Sequence, residues 1–227
     1  MIGDNNMIKK KIAFVTDFDG TISDQDFFHH LRDNIFDESA LTPWNDYLDG
    51  KISHFDALKN IYGTLRICDN EIVDLVKKVT IDEWVTPTFK LLHEANVPIY
   101  IASAGCDYYI NLLIGEEIKK YNITLITNPS SYSKETGLVM ERPLKSHSYY
   151  DENIGISKER LVKQLQDNRQ YVVFAGDGPP DFEPAKIADI VFAKKFLLEK
   201  CLKNNIKTEK FTSFKDIYLF FIKELKK

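Results

Sequence analysis

The stretch FVTDFDGTISD, residues Phe14 to Asp24, ends an apolar run on two acids that stand one residue apart. The run begins at Ile12 and stops at Asp17, and Asp19 follows after a single phenylalanine. Nearly continuous apolar runs of this length are typical of parallel strands covered on both faces. In an open parallel sheet, ligands bind beyond the carboxyl ends of the strands. The stretch therefore predicts a buried strand that delivers two carboxylates to a binding site.

The rest of the chain alternates short apolar runs with amphipathic stretches. Further strands are predicted at residues 98–102, 124–127, 171–175 and 190–193. Helices are predicted at residues 86–95, 157–165 and 213–227, the last two with Ser157 and Ser213 as N-caps. Alternation of this kind predicts an α/β fold built on a doubly wound, Rossmann-like parallel sheet.

One block, residues 24–83, breaks this alternation. Its apolar residues recur at helical spacing over three or four segments, and no strand pattern separates them. We expect an all-helical cap that closes over the acidic loop and is inserted in an α/β core formed by residues 1–23 and 84–227. A smaller hairpin-like insert is expected at about residues 126–153, because the segment ETGLVMERP resembles a turn and hairpin.

Composition and charge narrow the classes of partner. The 227 residues include 30 basic and 34 acidic side chains, a formal net charge of −4, so no overall field favours nucleic acid or an anionic membrane surface. No segment approaches the roughly 20 apolar residues that span a bilayer, and the run before Asp17 is too short for a signal peptide. Cys68, Cys106 and Cys201 form no CxxC pair, which favours a reducing compartment and a cytoplasmic protein. The oligomeric state is open, with a homodimer as one option.

Polar side chains follow three of the predicted strands. Besides Asp17 and Asp19, Ser103 follows the run at 98–102 and Asp177 follows the run at 171–175. Lys158 lies in the helix before that last strand. Taken one at a time, each has an ordinary structural explanation as a cap, a turn hydroxyl or a surface lysine, and the same holds for Asp181 at a helix start.

Together these residues indicate phosphoryl chemistry. Carboxylates that meet at one sheet edge repel one another unless a cation lies among them, and a hard oxygen site with few protein ligands suits Mg²⁺. Ser103, Lys158 and the backbone amides around Gly20 and Gly105 are donors suited to an anionic phosphoryl group. The sequence therefore predicts a magnesium-dependent phosphoryl-transfer site.

The motifs DFDGT at 17–21, SAG at 103–105, Lys158 and GDGPPD at 176–181, in this order, resemble the four signature motifs of the haloacid dehalogenase superfamily. A helical insert directly after the first motif resembles the phosphoserine phosphatase-like branch. The resemblance implies that Asp17 is the nucleophile and forms an aspartyl-phosphate, and that Asp19 acts as general acid and then general base.

The same resemblance implies the binding roles. The side chains of Asp17 and Asp177 and the backbone carbonyl of Asp19 would hold Mg²⁺, while Asp181 would orient a bound water or Lys158. Ser103, with its neighbours Ala104 and Gly105, and Lys158 would bind the transferring phosphoryl group. An acid two residues after the nucleophile favours a phosphatase acting on small phosphate monoesters, because an alkoxide leaves poorly and a proton donor contributes about 10²-fold to 10⁴-fold.

Two substrate classes follow from finer resemblance. The segments DFDGTISDQD, ASAGCDYYI and GDGPPDFEPAKIADIVFA most resemble the phosphatases that act on 2-hydroxy-3-keto-5-methylthiopentenyl-1-phosphate in methionine salvage. Phosphoserine phosphatases are the alternative. In those enzymes an acid nine residues after the nucleophile helps to recognise the amino group of the substrate, and Asp26 has this spacing from Asp17. Asp26 is otherwise a cap of the first cap helix. Arg32 and Arg66 are either a carboxylate clamp or parts of solvated helix faces.

An alternative hypothesis, from a different functional class, is that the protein binds phosphate or acts as a scaffold on the same fold without catalysis. That reading requires a lost nucleophile, acid, lysine or metal ligand, and none is missing. Other residues are assigned structural roles: Trp44 and Tyr47 as cap core, Tyr109 as packing for the helix after Ser103, and His147 as a loop residue.

Overall fold

Residues 11–226 are described by a computed structural model, so residues 1–10 of the expected first core segment and Lys227 of the last predicted helix lie outside the described part. Within it, ten strands follow in chain order: β1 (Lys11–Thr16), β2 (Ile99–Cys106), β3 (Thr124–Asn128), β4 (Ser130–Ser133), β5 (Gly137–Met140), β6 (Tyr150–Asp151), β7 (Gly155–Ile156), β8 (Gln170–Gly176), β9 (Ile190–Ala193) and β10 (Glu209–Lys210). Helices in the same range are α1 (Phe27–Asn34), α2 (Thr42–Leu48), α3 (His54–Tyr62), α4 (Asp69–Val76), α5 (Val85–Glu94), α6 (Asp107–Lys120), α7 (Lys158–Asp167), α8 (Phe182–Ile187), α9 (Lys195–Lys203) and α10 (Phe214–Glu224), with 3-10 turns at Glu38–Leu41 and Pro179–Asp181.

The central sheet of the described residues has six parallel strands in the order β10-β9-β8-β1-β2-β3. β1 lies between β8 and β2, with Thr16 in register with both Ala175 and Ile101. The connection after β1 leads toward the β3 edge and the connection after β8 leads toward the β10 edge, so the carboxyl ends of β1 and β8 form the topological switch point where α/β proteins bind ligands. The predicted α/β, doubly wound class is confirmed.

Both faces of β1 are buried, and its alternating side chains enter two different cores. Phe14 packs edge-on against the rings of Phe214 and Phe221, at centroid distances of 6.3 and 5.4 Å, on one face. Ala13 and Val15 belong to the core on the other face. Since a one-residue slip would exchange the two sets, this packing sets the register that delivers Asp17 to the sheet edge.

Two predicted helix N-caps are present in the structure, and one strand ends later than predicted. Ser157 and Ser213 accept hydrogen bonds from the amides of Arg160 and Lys215, so both N-caps are present. β2 is longer than predicted, because it resumes pairing with β3 at Cys106 after an irregularity that begins at Ala102. Ser103 therefore lies inside this irregular strand rather than after it.

Residues 24–83 contain α1 to α4 and the first 3-10 turn. The chain enters and leaves this segment at neighbouring points, since Ser23 forms an isolated antiparallel bridge with Ile81 and the Asp24 amide donates to the Thr80 carbonyl at 3.0 Å. Asp26 caps α1 by accepting from the Phe28 amide at 2.7 Å. Within residues 11–226 no helix combines the length and apolarity needed to cross a bilayer.

The hairpins formed by β4 and β5 and by β6 and β7 lie between β3 and α7, and they are attached to the helical segment. Arg142, just after β5, donates to Asp56 of α3 at 2.9 Å and its guanidinium stacks over the Phe55 ring at 4.0 Å. The Phe55 amide also donates to the Asn153 carbonyl at 2.8 Å. The hairpins and α3 are thus joined by an ion pair, a cation–π contact and a backbone hydrogen bond.

Candidate active site

Asp17, at the end of β1, forms hydrogen bonds with β8 through its amide and with Lys158 through its carboxylate. Its amide donates to the Ala175 carbonyl of β8 at 2.9 Å, so the sheet ladder continues one residue beyond the strand. Its carboxylate Oδ1 accepts from the Lys158 ammonium at 2.6 Å. Asp17 is only 6% exposed. Burial, reinforced by the nearby Asp181 carboxylate, raises the pKa of Asp17 well above its ordinary value despite the lysine.

Lys158 lies between two carboxylates. Besides Asp17, its ammonium donates to Asp181 Oδ1 at 2.6 Å, and the side chain is 2% exposed. Burial by itself lowers the pKa of Lys158, but the two adjacent carboxylates outweigh it and raise the pKa above the ordinary value. The lysine is therefore charged, and one of its three ammonium hydrogens is left for a further acceptor.

Asp181 and Asp177 are held in the loop after β8. Asp181 Oδ2 accepts from the amides of Asp177 and Gly178, each at 2.9 Å, which closes the loop around a fully buried carboxylate. Asp177 accepts from the Thr21 hydroxyl at 3.2 Å and pairs with the Lys195 ammonium at 3.0 Å. Burial first, and then Asp181, raise the pKa of Asp177.

Three carboxylates of this loop and of β1 form a cluster that fits a metal ion. One oxygen from each of Asp17, Asp177 and Asp181 lies within 4.8 Å of the others. These are hard oxygen donors, and their mutual repulsion is relieved when a divalent cation binds among them. Two of the three, Asp17 and Asp177, are predicted metal ligands. Asp181 is the third member, although its other contacts tie it to Lys158.

Asp19 points away from this cluster, toward β2 and α6. Its Oδ2 accepts from the Tyr109 hydroxyl at 2.5 Å and the Ser103 hydroxyl at 3.2 Å, and its Oδ1 accepts from the Phe27 amide at 3.1 Å. Burial and the neighbouring Asp26 carboxylate raise the pKa of Asp19 to about 7, against the opposing effect of these hydrogen bonds. The two acids of the opening motif therefore have different surroundings and different partners.

The SAG segment is closely packed. Ser103 Oγ accepts from the Gly105 amide at 2.9 Å, and the Ala104 carbonyl accepts from Asn128 at 3.0 Å. A Cβ on Gly105 would lie 1.7 Å from the Tyr109 hydroxyl, so only glycine leaves room for the contact between Tyr109 and Asp19. The amides of Gly105 and Gly20, expected as phosphate donors, are both engaged within the protein, the latter with Ser23 Oγ at 3.1 Å.

A cavity of about 360 Å³ connects these groups. The core side, which we name the core wall, comprises Asp17, Asp19, the SAG segment, Lys158, Asp177 and Lys195. The opposite side, the cap wall, is contributed by α1 to α3 and comprises Asp26, His29, Trp44, Tyr47, His54, Leu58 and Tyr62. Tyr109 and residues 178–180 also line the cavity from the core side, and Leu48 of α2 and Phe196 of α9 line it with largely exposed side chains. Eight of the nine predicted site residues line this cavity, and Asp181 does not.

For Asp26, the structure shows the helix cap, which is one of the two alternatives stated for it. Asp26 caps α1 and also lines the cavity. Burial raises the pKa of Asp26 to about 6, partly offset by its hydrogen bond from Phe28. Arg32 pairs with Asp33 and Arg66 donates to the carbonyls of Gly63 and Leu65, and neither lines the cavity.

Several lining residues carried no recognisable signal in the sequence. Tyr109, assigned only to packing, donates to Asp19, and its position two residues after Asp107 at the start of α6 gives no hint of that contact. Lys195 adopts a left-handed backbone at φ +49° and reaches both Asp177 and the Gly20 carbonyl. His54 lies at the cap wall with a buried Nδ1 that has no hydrogen-bond partner among the described residues. Burial lowers the pKa of His54 to about 4.

Comparison with known proteins agrees with this geometry. A family model described as Putative Phosphatase matches residues 12–214. The 2-hydroxy-3-keto-5-methylthiopentenyl-1-phosphate phosphatase of Bacillus cereus (strain B4264) is 26% identical over 208 residues, which cover 91% of this chain and 94% of that protein.

Solved structures show the same fold. A phospho-aspartyl intermediate analogue of phosphoserine phosphatase superposes with a TM-score of 0.65 at 17% identity, over 93% of this chain and 99% of that one. A substrate-bound phosphoserine phosphatase complex gives a TM-score of 0.61 at 19% identity, over 88% and 100%. With the family model spanning most of its length, the chain belongs to the Putative Phosphatase family, and it shares the fold of phosphoserine phosphatase.

Proposed function

We propose that the protein is a Mg²⁺-dependent phosphatase that hydrolyses a small phosphorylated metabolite through an aspartyl-phosphate on Asp17. The observation that supports this most directly is the pair of acids at the end of β1. Asp17 lies beside the Lys158 ammonium, whereas Asp19 is held by Ser103 and Tyr109, and both line one cavity. This arrangement supports Asp17 as the nucleophile at phosphorus and Asp19 as the group that transfers the proton of the leaving alcohol.

The proposed reaction has two displacements at phosphorus. A carboxylate oxygen of Asp17 forms a bond to phosphorus while the bond to the ester oxygen breaks, and Asp19 gives its proton to that leaving oxygen. Asp19 then takes a proton from water as the water oxygen attacks phosphorus and the Asp17 carboxylate is released. Inorganic phosphate and the alcohol are the products, and both acids return to their starting states.

The remaining core-wall residues stabilise charge in this scheme. Lys158 uses two hydrogens on Asp17 and Asp181 and offers the third to a phosphoryl oxygen. Ser103 has one hydroxyl hydrogen, so it donates either to Asp19, as in the structure, or to the phosphoryl group with Ala104 and Gly105 alongside. Asp181 orients Lys158, a role supported by their 2.6 Å contact.

The cation site is proposed to hold Mg²⁺. The side chains of Asp17 and Asp177 and the backbone carbonyl of Asp19 would be its protein ligands, and the clustered carboxylate oxygens of Asp17 and Asp177 support that choice. When bound, Mg²⁺ supplies positive charge that offsets the negative charge of the phosphoryl group.

We further propose that residues 24–83 act as a cap on a core formed by 1–23 and 84–227, with 126–153 as a smaller insert. The contribution of α1 to α3 to one wall of the cavity supports this division. A cytoplasmic location is proposed because Cys68, Cys106 and Cys201 are all unpaired. Assembly as a homodimer remains a prediction that sedimentation would test.

For the substrate, we propose 2-hydroxy-3-keto-5-methylthiopentenyl-1-phosphate, on which the Bacillus relative is named as acting. The cavity supports this choice over phosphoserine, because Arg32 and Arg66 lie outside it and are engaged elsewhere. Phosphoserine stays the second candidate for one reason, which is the Asp26 carboxylate at the cap wall, where it can accept from an amino group.

Release of inorganic phosphate from a panel of monoesters, with Mg²⁺ and with EDTA, tests the proposal. The panel includes phosphoserine, the salvage enol phosphate and p-nitrophenyl phosphate. We expect turnover that requires Mg²⁺ and is highest for the salvage ester. Binding of phosphate esters without turnover of any of them would instead support the non-catalytic phosphate-binding reading.

A further inference from the structure

The leaving group of the substrate would contact the cap wall and the rim of the cavity, which we define as Leu48 and Phe196. We propose that Trp44, Tyr47 and the rim residues Leu48 and Phe196 bind an uncharged leaving group with an apolar tail. This inference rests on the proposed function, since it concerns the part of the substrate that leaves as an alcohol.

The aromatic part of the cap wall is preformed. Trp44 stacks on Phe28 of α1 with ring centroids 4.2 Å apart and an interplanar angle of 27°, and Phe28 is itself buried. The rings of Tyr47 and His54 pack edge to face with centroids 5.3 Å apart, and the His54 ring packs in the same way against Trp44. Rings fixed in this way present apolar surface to a ligand at little cost in conformational entropy.

The charges on the cap wall exclude an anionic leaving group. Among the described residues that line the cavity, the positively charged side chains are Lys158 and Lys195, and both belong to the core wall, where each pairs with a carboxylate. The cap wall contributes Asp26, which repels a second anionic group, and His29 and His54, whose pKa values are lowered by burial. A substrate carboxylate would find no cation on this side and would lose its hydration without compensation.

The rim adds exposed apolar surface at the entrance of the same cavity. Leu48 is 66% exposed and Phe196 is 46% exposed, one from the helical segment and one from the core. Large apolar side chains that stay exposed beside a binding site are typical of surfaces that a ligand covers. Because Leu48 and Phe196 line the same cavity as Trp44 and Tyr47, a tail bound there would cover part of their exposed surface.

The test compares alkyl phosphates of increasing length, from ethyl to hexyl phosphate. Their leaving alcohols have nearly equal reactivity, so differences in kcat/KM report binding of the tail. A fully buried methylene contributes about 0.8 kcal/mol, which corresponds to about fourfold. Because burial at an open rim is partial, we expect hexyl phosphate to exceed ethyl phosphate by at least about tenfold in kcat/KM, and to exceed phosphoserine as well.

Two variants assign the effect to the rim. Leu48→Ala and Phe196→Ala should each lower the ratio of hexyl to ethyl kcat/KM by about threefold or more, mainly through KM. Leu202→Ala is the matched control, because Leu202 lies on α9 with Phe196, is 62% exposed and does not line the cavity. This control should keep the wild-type ratio.

The outcomes separate this inference from the proposed function. Equal turnover of ethyl and hexyl phosphate, or preference for phosphoserine, would overturn the inference while leaving the phosphatase intact. A loss in Leu48→Ala and Phe196→Ala that is the same for both esters would assign the rim to closure of the cavity and would also overturn it. Absence of turnover of every ester, p-nitrophenyl phosphate included, would overturn both proposals.

Discussion

The two walls of the cavity differ in chemical character: the core wall is mainly charged and the cap wall is mainly apolar. On the core wall, the Asp17 carboxylate pairs with the buried Lys158 ammonium, which also pairs with the buried Asp181 carboxylate outside the cavity lining. The Asp177 carboxylate pairs with Lys195. On the cap wall, stacked rings and aliphatic side chains predominate, and Asp26 is the charged group among them. We therefore expect the reaction and the choice of substrate to depend on separate parts of the chain.

The largest effect is expected from Asp17→Asn, which tests whether the reaction depends on the core wall alone. An amide cannot form the proposed phosphoryl intermediate, so kcat should fall by roughly 10⁴-fold or more. Circular dichroism should be unchanged, since asparagine has the same shape. Asp24→Asn is the control, because Asp24 is exposed and outside the cavity. Turnover retained in Asp17→Asn would refute the proposed nucleophile.

Asp19→Asn sharpens the comparison within the core wall by separating the proton donor from the nucleophile. Alkyl esters need a proton on the leaving oxygen, and their kcat should fall by roughly 10²-fold to 10⁴-fold. The first step with p-nitrophenyl phosphate needs no such proton, so in a pre-steady-state assay the burst of p-nitrophenol should be affected much less. An equal loss for both ester classes in that burst would contradict the general-acid role.

Lys158→Met tests whether the ion pairs of the core wall contribute to folding as well as to binding. Removal of the ammonium leaves the Asp17 and Asp181 carboxylates buried side by side, and loss of one partner from a buried ion pair costs about 3–5 kcal/mol. Urea unfolding in EDTA at neutral pH measures this loss. Lys163→Met on the same helix is exposed and should change the free energy of unfolding little. Similar stability of both variants would mean that Lys158 has no structural role.

The smallest effect is expected at the cap wall, from Asp26→Asn. Burial raises the pKa of Asp26 from 3.8 to about 6, so the folded state disfavours the ionised carboxylate, and this penalty grows as the pH rises through that interval. Asparagine keeps an N-cap and carries no charge, so it should stabilise the protein above pH 6 and not below about pH 4. The full interval corresponds to roughly 3 kcal/mol, but part of the Asp26 surface stays in contact with solvent, which screens the charge, and we expect about 1 kcal/mol.

Urea unfolding at pH 7.5 and pH 4, both in EDTA, measures that gain. Asp37→Asn is the matched control, because Asp37 also caps a helix but is exposed and has a lowered pKa, so its replacement should bring no gain at pH 7.5. A stabilisation by Asp26→Asn that is equal at both pH values would assign the effect to capping rather than to charge.

The same contrast between the walls explains what could be predicted from the sequence. The core wall follows from short motifs at strand ends, since a parallel sheet brings those ends to one edge whatever the rest of the chain does. Asp17, Asp19 and Asp177 could be placed in this way, as could the parallel strands themselves. The length of β2 could not, because pairing of Cys106 with Asn128 past an irregularity depends on the neighbouring strand.

The cap wall was less predictable for a physical reason. Helical periodicity identifies which residues of α2 and α3 are apolar, but a core position and a cavity-lining position have the same period. Trp44 and Tyr47 were therefore assigned to cap core, although both line the cavity. Tyr109 and Lys195 were missed because their contacts with Asp19 and Asp177 join elements far apart in the chain.

The attachment of Arg142 to α3 has a consequence for how this enzyme could be re-engineered. If residues 24–83 were exchanged for the corresponding segment of a homologue, Arg142 would lose its contacts with Asp56 and Phe55. The Asn153 carbonyl would also lose its hydrogen bond from the Phe55 amide. A chimera that transfers the helical segment together with residues 126–153 keeps all three links. Residues 24–83 and 126–153 are therefore structurally coupled, and we expect substrate preference to be transferred only when both segments are moved together.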